Sequence, residues 1–103
     1  MVAVICIAYK MGAKFDLDYY LKTHMPLVQK AWASFGLKSW KVAHYTNPDS
    51  AYVVQAWLEF DEMSQWDKAS TAPEAEPVFA DIPNFTNVSP DKLFGTLAGS
   101  AVV

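Results

Sequence analysis

The chain changes its hydrophobic period several times, and each change marks a predicted element. Val2–Tyr9 is a continuous, mostly apolar run rich in β-branched residues, which is typical of a strand buried on both faces. Lys38–Tyr45 alternates between faces, and Ala51–Phe60 follows it after the turn Thr46–Ser50. The last two segments therefore predict a β-hairpin with a five-residue loop.

A helix is predicted between the first strand and this hairpin. Asp16 is placed to cap its first turn with Phe15 as a hydrophobic staple, and Gly36 is placed to end it. Pro26 lacks a backbone donor and disfavours helical geometry in the residue before it, so we expect a break or kink at His24–Met25, with Pro26 opening a second helical segment. Along the whole predicted helix, residues at spacings of three and four form one mostly apolar stripe: Leu17, Tyr20, Leu21, His24, Leu27, Val28, Ala31, Trp32 and Phe35.

The rest of the chain predicts a second helix and two more extended segments. Asp61 is placed to cap the second helix, which contains Trp66, and Val78–Ala80 predicts a short helical turn. Phe85–Val88 predicts a fourth strand, and Leu93–Leu97 a C-terminal strand or arm. The order β-α-β-β-α-β predicts an α+β, ferredoxin-like fold with an antiparallel four-stranded sheet.

The sheet of such a fold has helices on one face only, so its strands should be polar on the other face. The first strand is apolar at both alternations, and Ala51–Phe60 is largely so. Roughly a dozen apolar side chains would project from the free face, and an exposed apolar surface of that size is unusual for a monomer. We therefore expect a homodimer packed through this face. A membrane surface is disfavoured because a basic rim is missing, whereas a different protein partner remains an alternative.

Composition narrows the class of protein. The 103 residues fit a single domain, residues 1–103, with 52% hydrophobic and only 18% charged residues. The net charge is −3 and arginine is absent, which disfavours nucleic-acid binding. Cys6 is interpreted as a buried thiol. The N-terminus lacks the positive region of a signal peptide and no segment is long enough to span a membrane, so we expect a cytoplasmic protein.

Cofactor-binding patterns are missing from the sequence. The two histidines and one cysteine have no metal-ligand spacing, and the four glycines form no phosphate-binding loop. We therefore predict no metal and no cofactor.

Two segments carry a family resemblance. Phe15–Val28 contains a Phe-Asp pair, an aromatic pair and His24-Met25-Pro26-Leu27, and it resembles the signature of the EthD family, named for ethyl tert-butyl ether degradation. Asp81–Val88 is similar to a second recurring stretch of that family. The resemblance covers nearly the whole chain and implies a dimeric α+β barrel. It also implies a role in oxidative degradation or in natural-product pathways, including those for pigments.

His24 is the principal candidate for chemistry. It follows Tyr20 by four residues, so both side chains should project from one helical face towards the sheet. An imidazole can act as general acid or base near neutral pH, oriented by Tyr20 or Tyr19, and Asp81 can pair with it. The alternatives are structural: His24 bonds a carbonyl at the kink, and Asp81 is a turn carboxylate.

Four further residues are candidates for ligand binding. His44 shares a strand face with Trp40 and can line a cavity, although an interface histidine is the alternative. Trp57 and Phe85 can form an aromatic platform or belong to the core.

Two functions from different classes fit these residues. The first is a small cofactor-free enzyme of isomerase, cyclase, dehydratase or oxygenase type, acting on a hydrophobic, ring-bearing metabolite. The second is a non-catalytic accessory protein that binds such a metabolite or delivers it to a pathway enzyme.

Overall fold

A computed structural model describes Met1–Val103 and shows one four-stranded antiparallel sheet with helices on one face. The α+β class and the β-α-β-β-α-β order are confirmed. The sheet order is β2-β3-β1-β4. The strands are β1 Ala3–Lys10, β2 Leu37–His44, β3 Tyr52–Phe60 and β4 Asp91–Thr96. The helices are α1 Leu17–Tyr19, α2 Met25–Trp32, α3 Met63–Thr71 and α4 Glu76–Ala80. A π turn spans Tyr20–His24, and 3₁₀ turns span Ala33–Phe35, Pro73–Ala75 and Ile82–Asn84.

The first helical unit begins and ends as the sequence predicts. The Asp16 carboxylate accepts a hydrogen bond from the Tyr19 N–H at 3.1 Å. Phe15 packs on Tyr20 with ring centroids 5.0 Å apart, which is the N′ to N4 contact of a hydrophobic staple. Gly36 ends the unit with φ of +105°, a left-handed conformation that favours glycine.

The expected break or kink at His24–Met25 takes the form of a change of helix type, from the π turn that ends at His24 to α2, which begins at Met25. The backbone stays in the right-handed helical region through both residues, and Tyr20–His24 forms a π turn in which the Met25 N–H donates to the Tyr20 carbonyl. Pro26 falls in the first turn of α2, where its missing N–H costs no helical hydrogen bond. Pro26 therefore lies at the start of a second helical segment, as predicted, although the backbone stays helical across the junction.

Two other local predictions are corrected. Glu62, rather than Asp61, is the N-cap of α3, and its N–H donates to the Gln65 side chain at 3.1 Å. Asp61 instead pairs with Lys38 at 3.0 Å.

The fourth strand is Asp91–Thr96, which pairs with β1, and Phe85–Val88 is not a strand. Only one bridge forms in the earlier segment, between Phe15 and Thr86, because Phe85 leaves a 3₁₀ turn with its side chain buried.

The strand faces differ more than the sequence suggests. Alternate residues of β1 point into the core, and the others lie on the helix-free face, where Val4 is opposite Glu59, Ala8 opposite Gln55 and Cys6 opposite Trp57. The helix-free face is therefore mixed, and the expected dozen overestimates the number of its apolar side chains.

None of the helices has the length and apolar character that crossing a membrane requires.

Candidate active site

A histidine and a carboxylate from distant parts of the chain meet at one end of the helical layer. His24 ends the π turn, and Asp81 lies between α4 and the following 3₁₀ turn. The His24 Nδ1 lies 2.9 Å from Asp81 Oδ2. Both side chains are mostly buried, with 5% and 11% of their surface exposed. The structure thus brings together two residues that the sequence singled out separately.

The Asp81 carboxylate is held by two more donors. The Tyr19 hydroxyl donates to Oδ1 at 2.6 Å, and the Asn84 amide donates to the same oxygen at 2.9 Å. Tyr19 belongs to α1 and Asn84 to the 3₁₀ turn, so the carboxylate fastens the first helical unit to the segment after α4. Because three donors surround it, its orientation towards the imidazole is determined by the fold.

Aromatic rings hold the imidazole from the other sides. The π turn stacks His24 on Tyr20, with centroids 5.3 Å apart and ring planes 15° from parallel. The Phe85 ring lies 4.6 Å from the imidazole centroid. These contacts leave the imidazole little rotational freedom. Single π turns occur often at functional sites, and here the wider turn presents both rings to one space.

Electrostatics favour a neutral imidazole beside a charged carboxylate. Burial lowers the pKa of His24 from 6.5, although Asp81 acts in the opposite direction. Burial alone would raise the pKa of Asp81, but hydrogen bonds from Tyr19, Asn84 and His24 outweigh it, so that the pKa lies below 3.8. A carboxylate only accepts hydrogen bonds, so neutral His24 must carry its proton on Nδ1. Its Nε2 then carries a lone pair.

The other ring nitrogen of His24, Nε2, makes no hydrogen bond. Every fully buried side-chain nitrogen and oxygen has a hydrogen-bond partner, so Nε2 must keep accessible surface. The His24 side chain lines a cavity of about 40 Å³ between sheet and helices. Fourteen residues line it and twelve are hydrophobic. The residue that carries this basic nitrogen therefore lines an apolar space.

The mouth of this cavity lies beside the edge strand β4. Phe79, Ile82 and Lys92 line it and are partly or largely exposed. Buried Tyr20 also lines the cavity, and burial raises its pKa, so its phenol stays protonated. The open space is too small for an aromatic ring, since a cavity of about 150 Å³ is known to hold benzene. A ring-bearing ligand would have to displace the side chains at the mouth.

Three of the predicted ligand-binding residues lie elsewhere. Trp40 packs under the helices, where its Nε1 donates to Gln29 at 3.1 Å. His44 is exposed at the end of β2, the edge strand opposite β4. Trp57 lies on the helix-free face, paired with Cys6. The structure therefore groups His24, Asp81, Tyr19, Tyr20 and Phe85, and separates these three from them.

Sequence reasoning missed two residues of the site. Asn84 lies three residues after Asp81, a spacing at which a side chain can reach back to a turn carboxylate, and that spacing was the available signal. Lys92 lies in β4 opposite Ile7, but the predicted strand began only at Leu93.

Comparison with known proteins identifies the fold. No protein-family model matches the chain, and no curated protein sequence matches it either. An EthD-like protein from Ralstonia eutropha JMP134 superposes with a TM-score of 0.86 at 20% identity, covering 97% of this chain and 95% of that one. An ethyl tert-butyl ether (EthD) family protein from Bacillus halodurans C-125 has a TM-score of 0.70 at 21% identity, covering 94% and 98%. The chain has the EthD-like fold.

A third structure extends this comparison. A dimeric protein of unknown function with a ferredoxin-like fold, from Bacteroides fragilis NCTC 9343, has a TM-score of 0.57 at 15% identity, covering 93% of this chain and 95% of that one.

In the EthD-like fold of this chain, the two segments that carry the sequence resemblance are neighbours. The Asp16 N–H donates to the Phe85 carbonyl at 2.8 Å, and the Thr86 hydroxyl donates to the Lys14 carbonyl at 2.6 Å. The candidate site lies where these segments meet.

Proposed function

We propose that this protein is a cofactor-free enzyme that moves protons on a small, largely apolar metabolite. The observation that carries the proposal is the His24 imidazole, bonded to Asp81 through Nδ1, unbonded at Nε2 and part of the lining of an apolar cavity. Isomerases, cyclases and dehydratases all need such a group. A positioned acid or base contributes about 10²–10⁴-fold to rate.

The residues divide the work as follows. Nε2 accepts a proton from carbon or oxygen of the bound molecule, which leaves an imidazolium. The Asp81 carboxylate stabilises this cation across the 2.9 Å contact and keeps Nδ1–H in place. Tyr19 and Asn84 hold the carboxylate. Nε2 then returns the proton to another position of the same molecule, and the enzyme is regenerated without an oxidant or reductant.

The second candidate function is binding without catalysis. It is favoured by the same carboxylate, because three side chains of the fold already saturate Asp81 and tie two segments together. In this reading the pair of His24 and Asp81 stabilises the fold, and the apolar cavity holds a metabolite for transfer to a pathway enzyme.

Hydrogen exchange on carbon distinguishes the two functions. The protein is incubated in D₂O with cyclopentanone or nitroethane, two small carbon acids, and loss of the acidic C–H signals is followed by proton NMR. We expect exchange by the parent protein, a loss of at least about 100-fold in His24→Gln, and no change in His44→Gln, the matched variant of the exposed histidine.

The pH profile of the parent protein provides a test that needs no variant. Because the pKa of His24 lies below 6.5, exchange should be constant at neutral pH and fall only on the acid side of 6.5. Exchange in His24→Gln within about threefold of the parent would refute the enzymatic role and favour the binding protein.

We also propose that the protein is a homodimer packed through the helix-free face of its sheet. Val4, Cys6, Trp57 and Leu93 line an apolar groove there, and Leu93 is 52% exposed. The fold neighbour from Bacteroides fragilis is a dimeric protein, which supports a dimeric state for this chain. Sedimentation equilibrium at micromolar concentration should give about twice the chain mass of 11.5 kDa, and Trp57→Asp should give the monomer. A parent protein that sediments as a monomer would contradict the proposal.

A further inference from the structure

Lys92 is the only charged side chain other than the histidine that lines the cavity. Among its fourteen lining residues, twelve are hydrophobic and the remaining two are His24 and Lys92. Lys92 lies directly opposite Ile7 in the register of β4 and β1, so both side chains are on the helix-covered face. The cavity therefore has a base on one wall and a cation at its mouth.

The Lys92 ammonium is held at the mouth without a carboxylate partner. Its Nζ lies 5.0 Å from the centre of the Phe79 ring, a cation–π contact with another residue of the mouth. It belongs to none of the four salt bridges of the chain. The nearest acidic residue in sequence, Asp91, instead accepts a hydrogen bond from the Tyr52 hydroxyl at 3.1 Å. An unpaired cation beside an apolar space attracts negative charge on whatever the space contains.

We infer that Lys92 binds an oxygen of the substrate on which negative charge develops, and that the substrate is a small carbonyl compound with an acidic C–H bond beside its carbonyl group. This inference rests on the proposed function and names its substrate class. A base and a cation that line the same apolar cavity supply the two functions that assist enolisation, removal of the α-proton and stabilisation of the enolate oxygen.

The step balances within the two residues and the substrate. His24 Nε2 takes the α-proton, and the electron pair of the C–H bond becomes the carbon–carbon π bond of an enolate. The carbonyl π pair moves to oxygen, where the Lys92 ammonium stabilises the negative charge. Reprotonation by the imidazolium at the same or a conjugated carbon completes exchange or isomerisation.

The test uses Lys92→Met, with Lys92→Arg to retain the cation and Lys10→Met as the matched control, since Lys10 is an exposed lysine at the end of β1. Removing an oxyanion donor typically costs about 10²–10³-fold. Because Lys92 is exposed to water, we expect a loss of at least about tenfold in cyclopentanone exchange in Lys92→Met. Exchange should recover in Lys92→Arg and stay unchanged in Lys10→Met. Exchange by Lys92→Met within about threefold of the parent would overturn the inference while leaving the proposed function intact.

A binding measurement separates the inference from the proposed function. Cyclopentanecarboxylate and cyclopentylmethanol have the same ring, but only the first carries a negative oxygen. Their dissociation constants are measured by chemical-shift titration of the His24 ring. If the parent shows no exchange, the proposed enzyme is refuted. Preference for the carboxylate that disappears in Lys92→Met would still support Lys92 as the group that selects an anionic oxygen, and equal binding of both probes would overturn it.

Discussion

Replacing Asp81 by asparagine changes one atom of the candidate site and should reverse the proton position on His24. The new side chain keeps an oxygen for Tyr19 and Asn84, and its NH₂ group then faces Nδ1 of the imidazole. An NH₂ group donates only, so Nδ1 must become the acceptor and the proton must move to Nε2. This nitrogen then loses its lone pair. We therefore expect the hydrogen-exchange activity to fall, because this tautomer has no lone pair on Nε2.

The cost in stability follows from the hydrogen bonds of the carboxylate. Asp81 accepts three side-chain hydrogen bonds, each worth about 1.5–3 kcal/mol when the acceptor is charged and about 0.5–1.5 kcal/mol when it is neutral. The difference is about 1 kcal/mol per bond. Since Asn84 is exposed, we expect Asp81→Asn to lower the free energy of unfolding by about 2–3 kcal/mol. For a domain of this size that lowers Tm by about 10–20 °C.

Two measurements and one matched variant check this expectation. Long-range ¹H–¹⁵N NMR spectra report the tautomer of each histidine, and the chain has only two, which His44→Gln assigns. Urea unfolding gives the change in stability. The control is Asp91→Asn, because Asp91 accepts one hydrogen bond, from Tyr52, and lies away from the imidazole. It should cost at most about 1 kcal/mol and leave the His24 tautomer unchanged. If Asp81→Asn retains Nδ1–H, or costs no more than Asp91→Asn, the carboxylate does not determine the state of His24.

Three further predictions concern stability. Because folding lowers the pKa of His24, the unfolded chain binds a proton before the folded chain does as pH falls, and the free energy of unfolding should decline below pH 6.5. Calorimetry should show this decline in the parent and in His44→Gln but not in His24→Gln. Gly36→Ala should cost about 1–2 kcal/mol in urea unfolding, because its φ is +105° and the new methyl group would meet Gln65 at 2.5 Å. Gly12→Ala, with similar φ but open space, should cost less, and equal costs would contradict this account. Phe85→Leu should cost about 1–3 kcal/mol by thermal melting, since the buried ring packs on His24 and Tyr20; a change below about 0.5 kcal/mol would show that the cluster repacks freely.

Local chemistry made part of the fold predictable from sequence. The Asp16 cap, its staple and the Gly36 terminus depend on residues within a few positions of one another, so the pattern specifies them. The continuous apolar run and the spacing of three and four residues likewise placed β1 and the helix stripe. Pro26 marks the start of α2, as its missing N–H predicts, but the π turn before it did not follow from these local patterns.

Tertiary structure decided everything that depends on which faces and segments meet. Alternation separates Trp57 from Leu58, but only the position of the helices determines which of them enters the core. Two segments near the C-terminus are candidates to pair with β1, Phe85–Val88 and Asp91–Thr96. The second segment pairs with it, because the Phe85 side chain is buried among aromatic rings. His24 and Asp81 stand 57 positions apart, and no local rule brings them to 2.9 Å. The sequence determined which residues could do chemistry; packing of the first helical unit against the segment after α4 decided which of them share a site, because long-range contacts depend on the whole chain closing around one core.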